Sequence, residues 1–112
     1  MMIGSYGKLL NVLQAIKGAT PEWPYLDAIE ERILNTLASK WYNDVPVTVL
    51  DAAALFSDFS ESTTHRRMTS LVNKGVIRFE QCPIDGRVKF VKPTTLTVHY
   101  FTQLGNGLDQ LT

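Results

Sequence analysis

STTHRRMTSLVNKGVIRFE, residues 62–80, sets two adjacent arginines among short hydroxylated side chains. A lysine-glycine pair follows, and apolar residues then alternate with charged ones. The first part has helical spacing. Ser60 suits the N-cap, the helix runs from about Glu61 to Lys74, and Gly75 supplies the C-cap. Met68, Leu71 and Val72 point to one side of this helix. Thr63, Arg66, Ser70 and Asn73 point to the other, with Arg67 and Lys74 flanking them. A solubilising face usually pairs long acidic and basic side chains at i, i+4. This face has short hydroxyls around a central arginine, and Glu61 is its one acid. Short polar groups let a helix approach a duplex closely, and arginine bonds guanine with two prongs.

Working outward, VIRFEQ and RVKFVK alternate on either side of the turn residues CPIDG, which predicts a hairpin. Upstream, LDAAALFS reads as a short helix and DFSES as a tight connection. VPVTV reads as a short strand held to an edge by Pro46. YLDAIEERILNTLASKWY is the clearest helix, with Leu26, Ile29, Ile33, Leu34, Leu37 and Trp41 on one face and Glu30, Glu31 and Lys40 off it. A first helix, SYGKLLNVLQAIKG, stops at Gly18. A last one, TTLTVHYFTQL, ends at the Gly105-Asn106-Gly107 run. Two short helices, a tight turn and a ribbon in this order predict an α+β, mainly helical fold. It is a winged helix-turn-helix with a two- to three-stranded wing sheet and flanking N- and C-terminal helices. One domain over 1–112 is expected, with an N-terminal helix and linker at 1–24, the core at 25–93 and the C-terminal helix at 94–112.

Charge follows the same division. The chain of 112 residues is neutral, with 11 Lys/Arg and 11 Asp/Glu. Residues 60–92 nevertheless hold seven basic side chains against three acidic ones, and residues 1–59 hold four against seven. Positive charge concentrated on the expected reading helix and hairpin is the pattern of a nucleic-acid footprint. Expected DNA contacts on the helix are Ser62, Thr63, Thr64, Arg66, Arg67, Ser70, Asn73 and Lys74. On the wing they are Arg78, Asp85, Arg87 and Lys89. Asp85 and Arg87 stand two apart at the hairpin tip, so the carboxylate can hold the guanidinium in one pose for a narrow minor groove.

STTHRRMTSLVNKGVIRFEQCPIDGRVKFVKPT also resembles the recognition helix and wing of the multiple-antibiotic-resistance-regulator (MarR) type of winged-helix transcription factor. The likeness lies in Ser-Thr, in Leu71 four residues before Gly75, in the Gly-apolar-Ile-Arg run through Ile77 and Arg78, in Asp85-x-Arg87 and in Thr94. It extends over roughly 50 residues from Val47, and departs at Arg67, where the family usually carries an aliphatic residue. The resemblance implies a homodimer on a palindromic operator, with the helix in the major groove and the wing arginine in the minor groove.

Other chemistries find little support. Cys82, His65 and His99 lack the paired spacing of a metal site, and His65 is expected beside the buried face. Glu30-Glu31 reads as a solvated helix surface, and no cofactor or enzymatic centre is expected. One cysteine fits a reducing cytoplasm. The N-terminal apolar run is broken by Asn11, Gln14 and Lys17, unlike a signal peptide, and no membrane span is present. Tyr6, Leu9, Leu13 and Ile16, with Phe101, Leu104, Leu108 and Leu111, exceed what one small core needs and point to a two-fold interface. Two functions remain open. One is a dimeric DNA-binding transcription regulator; the other is a winged-helix module for protein interaction, or for replication or segregation of a mobile element. No small-molecule effector can be named from the residues.

Overall fold

The computed structural model describes residues 2–110. They form α1 (Met2–Ala19), α2 (Ala28–Tyr42), α3 (Val49–Ala53), α4 (Glu61–Asn73), β1 (Ile77–Gln81), β2 (Lys89–Pro93) and α5 (Thr95–Asp109). Two compact units result, Tyr25–Thr94 and Met1–Pro24 with Thr95–Thr112.

In the first unit each helix start is chemically marked. Asp27 caps α2 and Thr48 caps α3, each in a reciprocal capping box with Glu30 and Asp51. Ser60 caps α4 by accepting from Thr63 N–H at 3.1 Å. Such side chains replace the missing intrahelical acceptors of the first turn, typically worth ~1 kcal/mol. Arg32 braces the loop between α3 and α4. Its guanidinium lies over the rings of Phe56 and Phe59 and bonds Asp58 at 2.7 Å.

The abrupt passage from α4 to β1 is a Schellman turn. Gly75 sits at φ 76, its N–H bonds Val72 O at 3.0 Å, and Val76 N–H reaches Leu71 O at 3.0 Å. The left-handed residue reverses the chain without a Cβ penalty, so the strand begins two residues later. Thr94 ties the far end of the hairpin to the same turn, its hydroxyl donating to Gly75 O at 2.6 Å.

β1 and β2 are antiparallel, with Ile77 opposite Pro93 and Gln81 opposite Lys89. The expected strand over VPVTV reduces to one bridge, Thr48 to Phe90, beside a bond from Val91 N–H to Val47 O at 2.8 Å. Pro46 has no N–H to donate and Thr48 is already the cap of α3, so no ladder can extend there. Ile33, Leu37, Met68, Leu71, Val76, Ile77 and Val91 are the most deeply buried large apolar side chains of this core, all essentially inaccessible. Each contributes on the order of 1.5–3 kcal/mol by leaving water.

In the second unit α1 packs on α5. The expected stop at Gly105-Asn106-Gly107 does not occur, and α5 runs through it to Asp109. Gly107 is buried, and a Cβ there would run into Val12 Cγ1 and stand 3.0 Å from Ile16 Cδ1. The glycine is therefore a close-approach position between helices, and tertiary packing outweighs its poor helix propensity. Trp23 stacks on Tyr100 with centroids 4.1 Å apart and lies at 6.5 Å from Phe101.

Candidate nucleic-acid interface

Helix α4 turns Thr64, Met68 and Leu71 into the core. Ser62, Arg66 and Asn73 are exposed and Thr63 is half-exposed on the other side. Arg66 reaches back to Thr63 Oγ1 at 3.4 Å, and no carboxylate pairs with it among the described residues. Thr64 is a correction to the expected contact set. It is fully buried, with its hydroxyl donating to Ser60 O at 3.3 Å. It lies four residues before Met68 and seven before Leu71, on the core-facing line of the helix. His65, expected beside the buried face, is exposed instead. The buried arc of α4 is narrow, and only the Thr64-Met68-Leu71 line enters the core.

The flanking cations are held from below. Arg67 forms an ion pair with Asp27. Lys74 Nζ bonds Glu30 Oε1 at 2.7 Å and Tyr25 O at 2.8 Å, while Ser70 donates to Glu30 Oε2 at 2.8 Å. The sequence pattern puts Glu30 on a solvated surface, yet it is 1% exposed. Burial alone raises its pKa, but hydrogen bonds from Lys74, the Asp27 backbone and Ser70, with the charge of Lys74, outweigh this and hold it below the ordinary 4.5. A carboxylate whose folded pKa is depressed stabilises the fold fully above its unfolded pKa and loses that contribution as pH falls through the folded one. The stability advantage of the parent over Glu30→Gln should therefore be constant near neutrality and shrink progressively below pH 4.5. Urea unfolding at a series of pH values, from neutral into the acid range, checks this. An advantage that stays flat down to the acid limit would contradict it.

At the hairpin tip Val88 N–H closes a turn onto Asp85 O at 3.0 Å. Asp85 Oδ1 accepts from the Arg87 backbone at 3.1 Å and from Nε at 3.2 Å. The Arg87 hydrogen bonds hold the Asp85 carboxyl below its ordinary value. The Arg87 side chain itself is 91% exposed. Lys89 is exposed at the start of β2, and Arg78 on β1 pairs with Glu80 at 3.3 Å. In the second unit Tyr6 and Leu108 are exposed, whereas Leu9, Leu13 and Leu104 are half-buried. Ile16 lies over Gly107 and Phe101 joins the Trp23 cluster, so both are used within the unit. Leu111 lies outside the described residues.

The signal for the Glu30 cluster is present in the sequence in part. Asp27-x-x-Glu30 is a capping-box spacing, and Ser70 and Lys74 stand at i, i+4. Nothing local, however, says that these two pairs meet across 40 residues.

The fold is a winged helix of the MarR type, as comparison with solved structures shows. The chain superimposes on a mutant of MarR from E. coli complexed with operator DNA with a TM-score of 0.56 and 18% identity, covering 99% of this chain and 76% of that one. The heme sensor protein PefR from Streptococcus agalactiae in complex with heme gives 0.58 and 20%, covering 95% and 69%. The adhesin competence repressor AdcR from Streptococcus pyogenes gives 0.54 and 19%, covering 98% and 75%. No family model and no curated protein matches the chain by sequence. Among the described residues, no helix is long and apolar enough to cross a membrane.

Proposed function

We propose that the chain is a transcription regulator that binds duplex DNA as a homodimer in the cytoplasm, with no catalytic role. The carrying observation is the outer face of α4. Arg66 stands there without a carboxylate partner among the described residues, beside Ser62, Thr63 and Asn73. In this reading α4 enters the major groove, where Arg66 reads a base edge and the short side chains meet phosphate. Arg87, held by Asp85, enters the adjacent minor groove, with Arg78 and Lys89 beside the backbone. The operator-bound MarR structure supports this, since it places DNA on a fold of the same type. Selection from a random duplex pool tests it. Enrichment of a palindromic site is expected, and a pool that stays random would favour the protein-interaction alternative.

Dimerisation is assigned to α1 and α5, where Tyr6, Leu10, Val98 and Leu108 leave apolar side chains exposed. A two-fold interface would cover them, as half-site readers require. Leu108→Glu places an uncompensated charge on that surface while sparing the packed Gly107 and Trp23 contacts. Sedimentation should show a shift toward monomer. An unchanged dimer would exclude Leu108 from the interface.

A further inference from the structure

We propose that the capping pair of α2, Asp27 and Glu30, is a built-in counter-charge that withholds Arg67 and Lys74 from phosphate and so makes α4 a selective reader. This inference rests on the DNA-binding reading above and concerns how that surface discriminates. Each carboxylate has two tasks. Asp27 Oδ1 accepts from Glu30 N–H at 2.8 Å to start α2, while its other oxygen holds Arg67. Glu30 Oε1 accepts from Asp27 N–H at 3.0 Å and also from Lys74, while Oε2 holds Ser70.

A capping box needs only backbone donors to be complete. Here the same two side chains are aimed at the neighbouring helix, and both cations flanking its outer face end in ion pairs. Three cations of the α4 segment thus present one guanidinium without an ion pair among the described residues, Arg66.

The consequence is a matter of counting phosphates. Non-specific affinity comes almost wholly from cations that displace counterions, each contact adding about 0.9 to the salt slope on duplex DNA. Phosphate contacts carry no sequence information, so a helix with all three cations free would bind every sequence better. Neutralising two of them from within the fold lowers the background against which Arg66 reads a base.

The test uses the full chain on a non-specific duplex, with affinity measured over a series of salt concentrations. Asp27→Asn keeps an N-cap of equal quality while removing the charge. It should steepen the salt slope by about 0.9, the share of one freed cation. Arg67→Gln alone should leave the slope unchanged, because that arginine is already neutralised. In the Asp27→Asn background the same substitution should return the slope to the parent value. Circular dichroism and thermal melting establish that each variant is folded. An unchanged slope in a folded Asp27→Asn variant would overturn the inference alone. So would a shallower slope in Arg67→Gln, which would mean Arg67 already meets phosphate. Absence of any salt-dependent duplex binding by the parent would overturn the regulator reading and this inference with it.

Discussion

Replacing Leu71 by alanine should cost about 2–5 kcal/mol of stability, the range for emptying a closed core position. Leu71 is fully buried on the inner line of α4, with Met68 one turn before it. Its backbone carbonyl also receives the Val76 N–H that closes the α4–β1 turn. Leu71 thus lies at the point where α4 ends and the turn to β1 begins. The loss combines transfer of the deleted methyl groups with the cavity they leave, and a close-packed core that includes Ile33, Leu37 and Val91 relaxes only in part to refill it. Small domains hold roughly 5–15 kcal/mol in total, so the variant should melt many degrees lower. Urea unfolding should show a lowered midpoint with an unchanged m-value. Thr69→Ala, at an exposed position on the same helix, should stay within ~0.5 kcal/mol. If the two variants were equally stable, the inner line of α4 would not be part of the core.

The elements most legible in the sequence are those whose signals are local. Ser60, Gly75 and the apolar spacing of Met68 and Leu71 define α4 within a residue, because caps and periodicity act over a few positions. The hairpin follows from alternation around a turn for the same reason. What is not legible depends on distant partners. Glu30 carries a charge, and a charge on an amphipathic helix normally marks the outer face. Its burial becomes understandable only when Lys74 and Ser70 arrive from α4 to compensate it. Gly107 reads as a helix stop, yet α1 lying against it turns it into a packing position. Thr64 is different, since its spacing from Met68 and Leu71 already places it inside. Counting Thr64 with the outward hydroxyls Ser62, Thr63 and Ser70 overlooks that geometry.

Arg66→Ala should weaken binding to the selected operator by about 1–3 kcal/mol, roughly fivefold to 150-fold, while leaving the fold intact. The side chain is exposed, the bond it makes within the helix is a long contact to Thr63, and it takes no part in the core. On the proposed reading its removal deletes a bidentate base contact, so the operator should lose more affinity than a random duplex does. Arg87→Ala should behave differently. Its guanidinium stands at the hairpin tip, 91% exposed and oriented by Asp85, and in the proposed pose it would meet groove and backbone whatever the sequence. Operator and random duplex should weaken by similar factors, and the salt slope should fall by about 0.9. Asp85→Ala should also weaken affinity, but less, since orientation is lost and the charge remains; unlike Arg67, which is 40% exposed and paired through a terminal nitrogen, Arg87 is bound to its carboxylate through Nε and stays 91% exposed. The two arginines are thus separated by the ratio of specific to non-specific affinity, measured for each variant at several salt concentrations. Equal loss of both affinities in Arg66→Ala would move base reading away from α4. Unchanged affinity and slope in Arg87→Ala would leave the hairpin a structural ribbon, with the helix as the sole contact to DNA.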